Sequence, residues 1–354
     1  MALRVVVVGA TGNVGTSLVQ ALGEDPDVDS IIGLARRLPA WSPPKTTWAR
    51  ADVRTTDLVS HFRGADVVVH LAWILQPTHD PLATWRSNAL GSVRVFDAVA
   101  EARVPALVYA SSIGAYAPGR RGGGPVDESW PTHALPTAAY GREKSYVERV
   151  LDTFERDHSH IRVVRLRPAF IFKRESASAQ RRLFAGPLLP GRLVRRDLIP
   201  VVPDIPGLRL QALHSADAAQ AYRLAVVRPV RGAFNVAADP VLDPKTLAQF
   251  LDARPVRVPS GLVRAVIATG WHLQVIPASP TLFDLALSLP VMDSTRAREE
   301  LGWQATKTSL EAIGELFEGL RAGAGMETPP LRPDAGGRLR GRELATGVGE
   351  RDDA

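Results

Sequence analysis

Residues 5–15 read Val-Val-Val-Val-Gly-Ala-Thr-Gly-Asn-Val-Gly. Four β-branched residues in a row favour extended backbone, and apolar side chains at every position suit a strand covered on both faces. The run breaks into glycines at positions 9, 12 and 15, and the helix-like stretch NVGTSLVQALG follows. A buried strand that enters a glycine turn and then a helix opens a β-α-β unit. There Gly9 permits a tight turn, Gly12 lets backbone approach a pyrophosphate, and Gly15 lets helix and strand pack closely. The G-x-x-G-x-x-G spacing is one residue wider than the dinucleotide fingerprint, so a turn needed only for packing stays open at this point.

The same alternation continues along the chain. Strand-length apolar runs, SIIGLA, TTWARADV, ADVVVHLAW, PALVYASS and IRVVRLRPAF, are separated by helix-like stretches, the longest from about Asp80 to Arg103 and from Ala138 to His158. This pattern predicts an α/β fold: a Rossmann-type, doubly wound parallel sheet. The 354 residues suffice for one large domain or two lobes. The dinucleotide-binding domain is expected over residues 1–170, with parts of 211–240 returning to it. A smaller substrate-binding lobe is expected mainly over 171–322, where Arg, Pro and Gly loosen the pattern. Residues 323–354 lack aromatics and are expected to form a disordered tail.

Cysteine is absent, which excludes disulfides, thiolate nucleophiles and cysteine-held metals and suits a cytoplasmic protein. The most apolar long run, GLVRAVIATGWHLQVIP, is interrupted by Arg264 and His272, so no membrane partner is expected, and the N-terminus reads as a first strand. The net charge of +6 invites a nucleic-acid reading, but the basic residues are scattered and five of the 43 are lysine, so arginine use is compositional and no nucleic acid is expected. No metal is expected either: His158 and His160 are two apart and face different sides of a helix.

Three further pieces carry chemistry. At the end of the second strand, where an NAD site places an acid, the chain has Leu34-Ala35-Arg36-Arg37, and guanidinium groups suit a 2′-phosphate, which favours NADP(H) over NAD(H). Tyr140 and Lys144 stand four apart in a helical stretch, so they share a face, and a fixed ammonium is expected to lower the phenol pKa towards that of a usable base. Ser111 and Ser112 end the fifth strand, on the edge that faces the ligand crevice.

In this order, together with Asp52, Leu71-Ala72, Asn88, Arg167-Pro168, His214 to Ala219, Asp293 to Arg296 and Leu301-Gly302-Trp303, the pieces resemble the extended short-chain dehydrogenase/reductases, the NAD-dependent epimerase/dehydratase family. The wider glycine spacing is that family's own. The resemblance covers about residues 3–320. It implies that Gly9, Thr11, Gly12, Asn13, Val14 and Gly15 surround the pyrophosphate and that Asp52 and Val53 lie near the adenine. It also implies that Leu71, Ala72 and Trp73 run along the cofactor, with Asn88 and Pro168 in the same set. Tyr140 is implied to exchange a proton with the substrate oxygen, Lys144 to bind the nicotinamide ribose and tune Tyr140, and Ser112, four residues before Tyr116, to hold that oxygen.

The chain departs from the family's nucleotide-sugar epimerases at Phe170, where they carry an asparagine; this suggests a less polar substrate pocket. His133, seven residues before Tyr140, is a further candidate substrate contact. An NAD(P)-dependent oxidoreductase acting on a small molecule is the leading expectation. A nucleotide-sugar epimerase with retained NAD is the second, kept open by Arg181, Arg182, Arg192, Arg195 and Arg196 as a diphosphate clamp, and a non-catalytic dinucleotide sensor is the third. A homodimer through the two long helices is expected from the family.

Overall fold

The four valines of the first strand point alternately into two cores, as a strand covered on both faces must. Val5 and Val7 pack with Leu18, Val19, Leu22 and Tyr222, whereas Val6 and Val8 pack with Phe62, Phe96, Val99, Val147 and Leu151. Each such side chain contributes roughly 1.5–3 kcal/mol by leaving water. The resulting architecture, seen in a computed structural model, is described for residues 2–75, 79–120, 122–186 and 199–335.

The first half of the chain runs β1 (Leu3–Val8), α1 (Asn13–Gly23), β2 (Val28–Ala35), β3 (Thr46–Arg50), α2 (Leu58–Phe62), β4 (Val67–His70), α3 (Pro81–Trp85), α4 (Gly91–Glu101), β5 (Ala106–Ala110), α5 (Ala139–Asp157) and β6 (Arg162–Pro168). The second half adds β7 (Phe170–Phe172), α6 (Ala177–Gln180), β8 (Val201–Asp204), β9 (Ala212–His214), α7 (Ser215–Val227), β10 (Gly232–Val236), α8 (Pro244–Leu251), β11 (Arg254–Arg257), α9 (Ser260–His272), α10 (Pro280–Ser288), α11 (Thr295–Glu299) and α12 (Ser309–Ala322).

Seven strands form one parallel sheet in the order β10-β6-β5-β4-β1-β2-β3, the doubly wound fold that the alternation predicts. Helices α1 and α7 cover one face and α2, α4 and α5 the other. The winding reverses at β1, which pairs with β2 on one side and β4 on the other, so a crevice opens outside the carboxyl ends of β1 and β4. Two short parallel ribbons, β7–β9 and β8–β11, join the remaining helices beyond this edge.

Two sequence expectations change. The stretch from Asp80 to Arg103 is not one regular helix: α3 and α4 are joined by a π-helical turn, Arg86–Leu90, which accommodates Asn88, 1% exposed, with its amide bonded to Ile74 and Glu143. The tail expected from residue 323 is folded as far as it is described. Thr328 and Leu331 are buried, and Arg182 donates to the carbonyls of Pro330 (3.0 Å) and Arg332 (3.1 Å).

Backbone crowding fixes two of the turn glycines. Gly9 has φ +88°, and a Cβ there falls 2.6 Å from the Ala72 nitrogen; at Gly15 it falls 2.4 Å from the Gly9 carbonyl. At Gly12 a Cβ meets only the Gly9 carbonyl, at 3.5 Å. Gly15→Ala is therefore expected to lower unfolding free energy by about 1–3 kcal/mol. Gly12→Ala is expected to leave stability nearly unchanged, and thermal unfolding of the two variants checks the contrast.

Candidate active site

The carboxyl end of β5 delivers Ser111 and Ser112 to the crevice. Ser112 accepts from the Gly114 nitrogen (3.0 Å) and so caps the turn Ile113–Ala115. Helix α5 crosses this turn with Tyr140 and Lys144 one helical turn apart, and the Ser112 hydroxyl lies close enough to the Tyr140 phenol to draw its pKa down. Glycine at 114 is required, because a Cβ there would lie 2.7 Å from Tyr140 Cε1. Lys144 is 3% exposed, and its Nζ donates to the Ala110 carbonyl (2.7 Å). The Trp73 ring, on the loop after β4, covers the same ammonium with its centroid 3.4 Å from Nζ, and meets Tyr140 edge-on at 6.1 Å. Four of the candidates, Trp73, Ser112, Tyr140 and Lys144, thus converge from three different elements.

The expected effect of Lys144 on Tyr140 is not what the geometry gives. Burial pushes the phenol up to about 12, opposed by the neighbouring Ser112 hydroxyl and reinforced by the Glu143 charge; the ammonium is not among the groups that shift it. The cause is the burial of Lys144 itself, which drives its own pKa well below that of a free lysine against the pull of Glu143 and Glu148. His70, at the end of β4, is pushed down to about 3 by burial and by the Lys144 charge, so it stays neutral while its Nε2 pairs with Ser92 Oγ (2.9 Å).

Behind the serines lies a buried ionic network that sequence reading missed. Glu148, fully buried, accepts from Ser111 Oγ (2.5 Å), Arg167 Nε (2.9 Å) and Arg165 (2.9 Å). Arg165 also reaches Asp152 and Glu155, and Arg167 donates to Tyr116 Oη (2.9 Å), which donates in turn to Asn235 (2.6 Å). The two arginines hold Glu148 down to about 2. The signal was present: Arg-Val-Val-Arg-Leu-Arg-Pro places two arginines on one face of a strand that must be buried, and Glu148 follows Lys144 by one helical turn.

The residues around the glycine turn fit a dinucleotide. Helix α1 begins at Asn13, capped by Gly12 with no side-chain bond and with no acid in its first turn, so its N-terminal amides and positive dipole end are available to a phosphate. A Cβ at Gly12 would meet nothing closer than the Gly9 carbonyl (3.5 Å), and Asn13 Oδ1, beside it in the turn, and Trp73 Nε1 are buried without a hydrogen-bond partner. Thr11 is buried, and Val14 packs against the core below the turn. Leu71 is bonded through its nitrogen to Val8 (2.8 Å), which holds Leu71-Ala72 against Gly9. At the far end, Arg36 lies close enough to lower the pKa of Asp52, whose carboxylate Arg54 already clamps (2.9–3.2 Å), while Arg37 is exposed. Val53 packs under Gly91, and its carbonyl accepts from Arg94.

Other candidates lie apart. His133 is exposed, beside Thr132, which is pinned by Ser145 and Arg149. Phe170 opens β7 and Pro168 ends β6, opposite Val236. The proposed diphosphate clamp loses Arg181 and Arg182, which are committed to backbone carbonyls, and Arg192, Arg195 and Arg196 lie outside the described residues. Among the described residues no cluster of His, Asp and Glu could hold a metal, and no helix is long and apolar enough to cross a membrane.

The model of the NAD dependent epimerase/dehydratase family matches residues 5–237. An uncharacterised protein of Mycobacterium tuberculosis, Rv0501, is 26% identical over 329 residues, covering 89% of this chain and 83% of that protein. The UDP-glucose 4-epimerase of Mycolicibacterium smegmatis is 26% identical over 347 residues, covering 90% and 99%. The solved UDP-glucose 4-epimerase of Thermus thermophilus, in complex with NAD, superposes with a TM-score of 0.67 at 20% identity over 90% of this chain and 99% of that one, a likeness of fold.

Removing the Glu148 charge strands two buried guanidinium groups, so Glu148→Gln is expected to cost about 3–5 kcal/mol at neutral pH. Because the folded pKa of Glu148, about 2, lies below its ordinary 4.5, its contribution is complete above pH 4.5 and is lost as pH falls towards 2. Denaturant unfolding across that window should show a shallower decline in Glu148→Gln than in the wild type.

Proposed function

The chain belongs to the NAD dependent epimerase/dehydratase family, a family of enzymes, and from that membership we propose that it is an NAD(P)-dependent oxidoreductase acting at the carbonyl or secondary alcohol carbon of a small molecule. The observation that carries the reading is the convergence of Ser112, Tyr140 and the buried Lys144 at the strand end next to the glycine turn, with the Ser112 hydroxyl close enough to the phenol to draw its pKa down. Gly9 to Gly15 and the start of α1 would hold the pyrophosphate, with Arg36 and Arg37 at the adenosine end. The bound nicotinamide supplies or accepts the hydride.

The protein's own part is proton handling and orientation. In the direction of reduction, Ser112 and Tyr140 donate hydrogen bonds to the carbonyl oxygen, and as hydride arrives at carbon the Tyr140 Oη gives its proton to that oxygen. A phenol held near 12 is a ready donor, since it keeps its proton until the alkoxide, a far stronger base, develops. Lys144, one turn away, stabilises the phenolate left behind. In oxidation the same atoms run in reverse.

The reading includes preference for NADP(H), because Asp52 is already neutralised by Arg54 and sits in the field of Arg36, leaving a basic rim for a 2′-phosphate. It also includes a cytoplasmic homodimer through α3, α4 and α5, where Leu82, Leu90 and Tyr146 are exposed and Trp85 packs on Tyr146 at 4.8 Å. A nucleotide-sugar epimerase is the second reading, favoured by the full-length likeness to the mycolicibacterial enzyme. It predicts tightly retained NAD and isomerisation of a sugar nucleotide without net absorbance change.

With a turned-over carbonyl substrate, Tyr140→Phe is expected to reduce kcat by about 10²–10⁴-fold, and full turnover in that variant would exclude the mechanism. NADPH should bind more tightly than NADH, with the difference abolished in Arg36→Ala/Arg37→Ala. Nicotinamide fluorescence titration checks it.

A further inference from the structure

Glu143 stands between the residues of the Tyr140–Lys144 pair, and no step above uses it. It is 4% exposed, a depth at which a carboxylate demands partners. Two donors meet it from the π-helical turn region: Thr84 Oγ1 (2.6 Å) and Asn88 Nδ2 (2.7 Å). Asn88 turns its remaining amide atoms to Ile74, accepting from the Ile74 nitrogen (2.7 Å) and donating to the Ile74 carbonyl (3.0 Å). Ile74 follows Trp73, whose ring lies on Lys144. The carboxylate is therefore tied to the ammonium twice: through its field, and through the chain Asn88, Ile74 and Trp73.

The field matters because Lys144 has few counter-charges. Glu148, on the same helix, is already bonded to Arg165 and Arg167. Tyr140 on α5, Tyr109 on β5 and His70 on β4 also face this region, but the two phenols are held protonated and the imidazole neutral by burial, so none of the three balances the ammonium. The exposed Arg142, on the other side of Glu143, adds a like charge.

We propose that Glu143 is a positioning residue for the cofactor half of the site: its carboxylate is the counter-charge of the buried Lys144 and the anchor of the loop that lays Trp73 against it. This rests on the assignment of Lys144 as a nicotinamide-ribose contact. Glutamine at 143 can keep both bonds, accepting from Asn88 and donating to Thr84, whose hydroxyl then turns fully to the Pro81 carbonyl (3.1 Å). Glu143→Gln thus removes the charge while leaving the anchor in place.

The test is NADPH and NADH affinity of the purified full chain between pH 6 and 9.5, in wild type and in Glu143→Gln. Loss of the anion lowers the pH at which Lys144 gives up its proton. Affinity in the variant should stay within about threefold of wild type at pH 6 and fall at least tenfold below it at high pH. Parallel profiles overturn the role of Glu143. Absence of cofactor binding by the wild type instead overturns the assignment of the site. If Glu143→Gln does not fold, Glu143→Asp keeps the charge but shortens the reach: the midpoint of its high-pH limb should fall at the wild-type pH while affinity drops by a constant factor at every pH and the tryptophan emission of the free protein shifts. A high-pH midpoint moved to lower pH in Glu143→Asp also overturns the proposal.

Discussion

The carboxylate of Glu148 is the point on which the sheet edge carrying the candidate site hangs. It ties α5, which bears Tyr140 and Lys144, to Ser111 at the end of β5 and to the two arginines of β6. Through Arg167 the same network continues to Tyr116 and Asn235 at the end of β10. A buried carboxylate flanked by two guanidinium groups is a costly device compared with apolar packing, and its return is geometric. Each charge-assisted bond has one good arrangement, so the ends of three strands and the orientation of α5 are set together. Ser112 inherits its position from Ser111, and Tyr140 from the helix that Glu148 locks.

On the opposite side of the crevice the constraint is steric. Gly9 and Gly15 allow the turn, the start of α1 and the Leu71-Ala72 backbone to approach until nothing larger than hydrogen fits between them. The two sides differ in kind: the glycine-turn side is shaped by the absence of side chains and the Ser112–Tyr140 side by the buried ionic network around Glu148. Trp73 spans them, rising from the loop that touches Gly9 and ending over Lys144.

The fold was legible because consecutive β-branched runs, glycine spacing and strand-helix alternation are local signals, and all six strand-like runs up to Phe170 became strands of the sheet. The convergence of Ser112, Tyr140 and Lys144 was legible because strand ends and i,i+4 spacing translate directly into position. The electrostatics were not. The spacing of Tyr140 and Lys144 suggests a cation lowering a phenol, yet the burial of both, which depends on Trp73 from 67 residues upstream, reverses the outcome. Long-range pairs such as Asn88 with Glu143 and Tyr116 with Asn235 leave no periodic trace. The folded part of the tail was hidden for the same reason, because Arg182 and the carbonyls it binds are about 150 residues apart.

Calorimetric titration of NADPH and NADH into the wild-type protein and into Lys144→Ala tests the central claim most directly. A dinucleotide site running from the glycine turn to Lys144 predicts saturable one-to-one binding of at least one cofactor, weakened tenfold or more when the ammonium is removed. Binding of neither cofactor, or binding indifferent to Lys144, would contradict it.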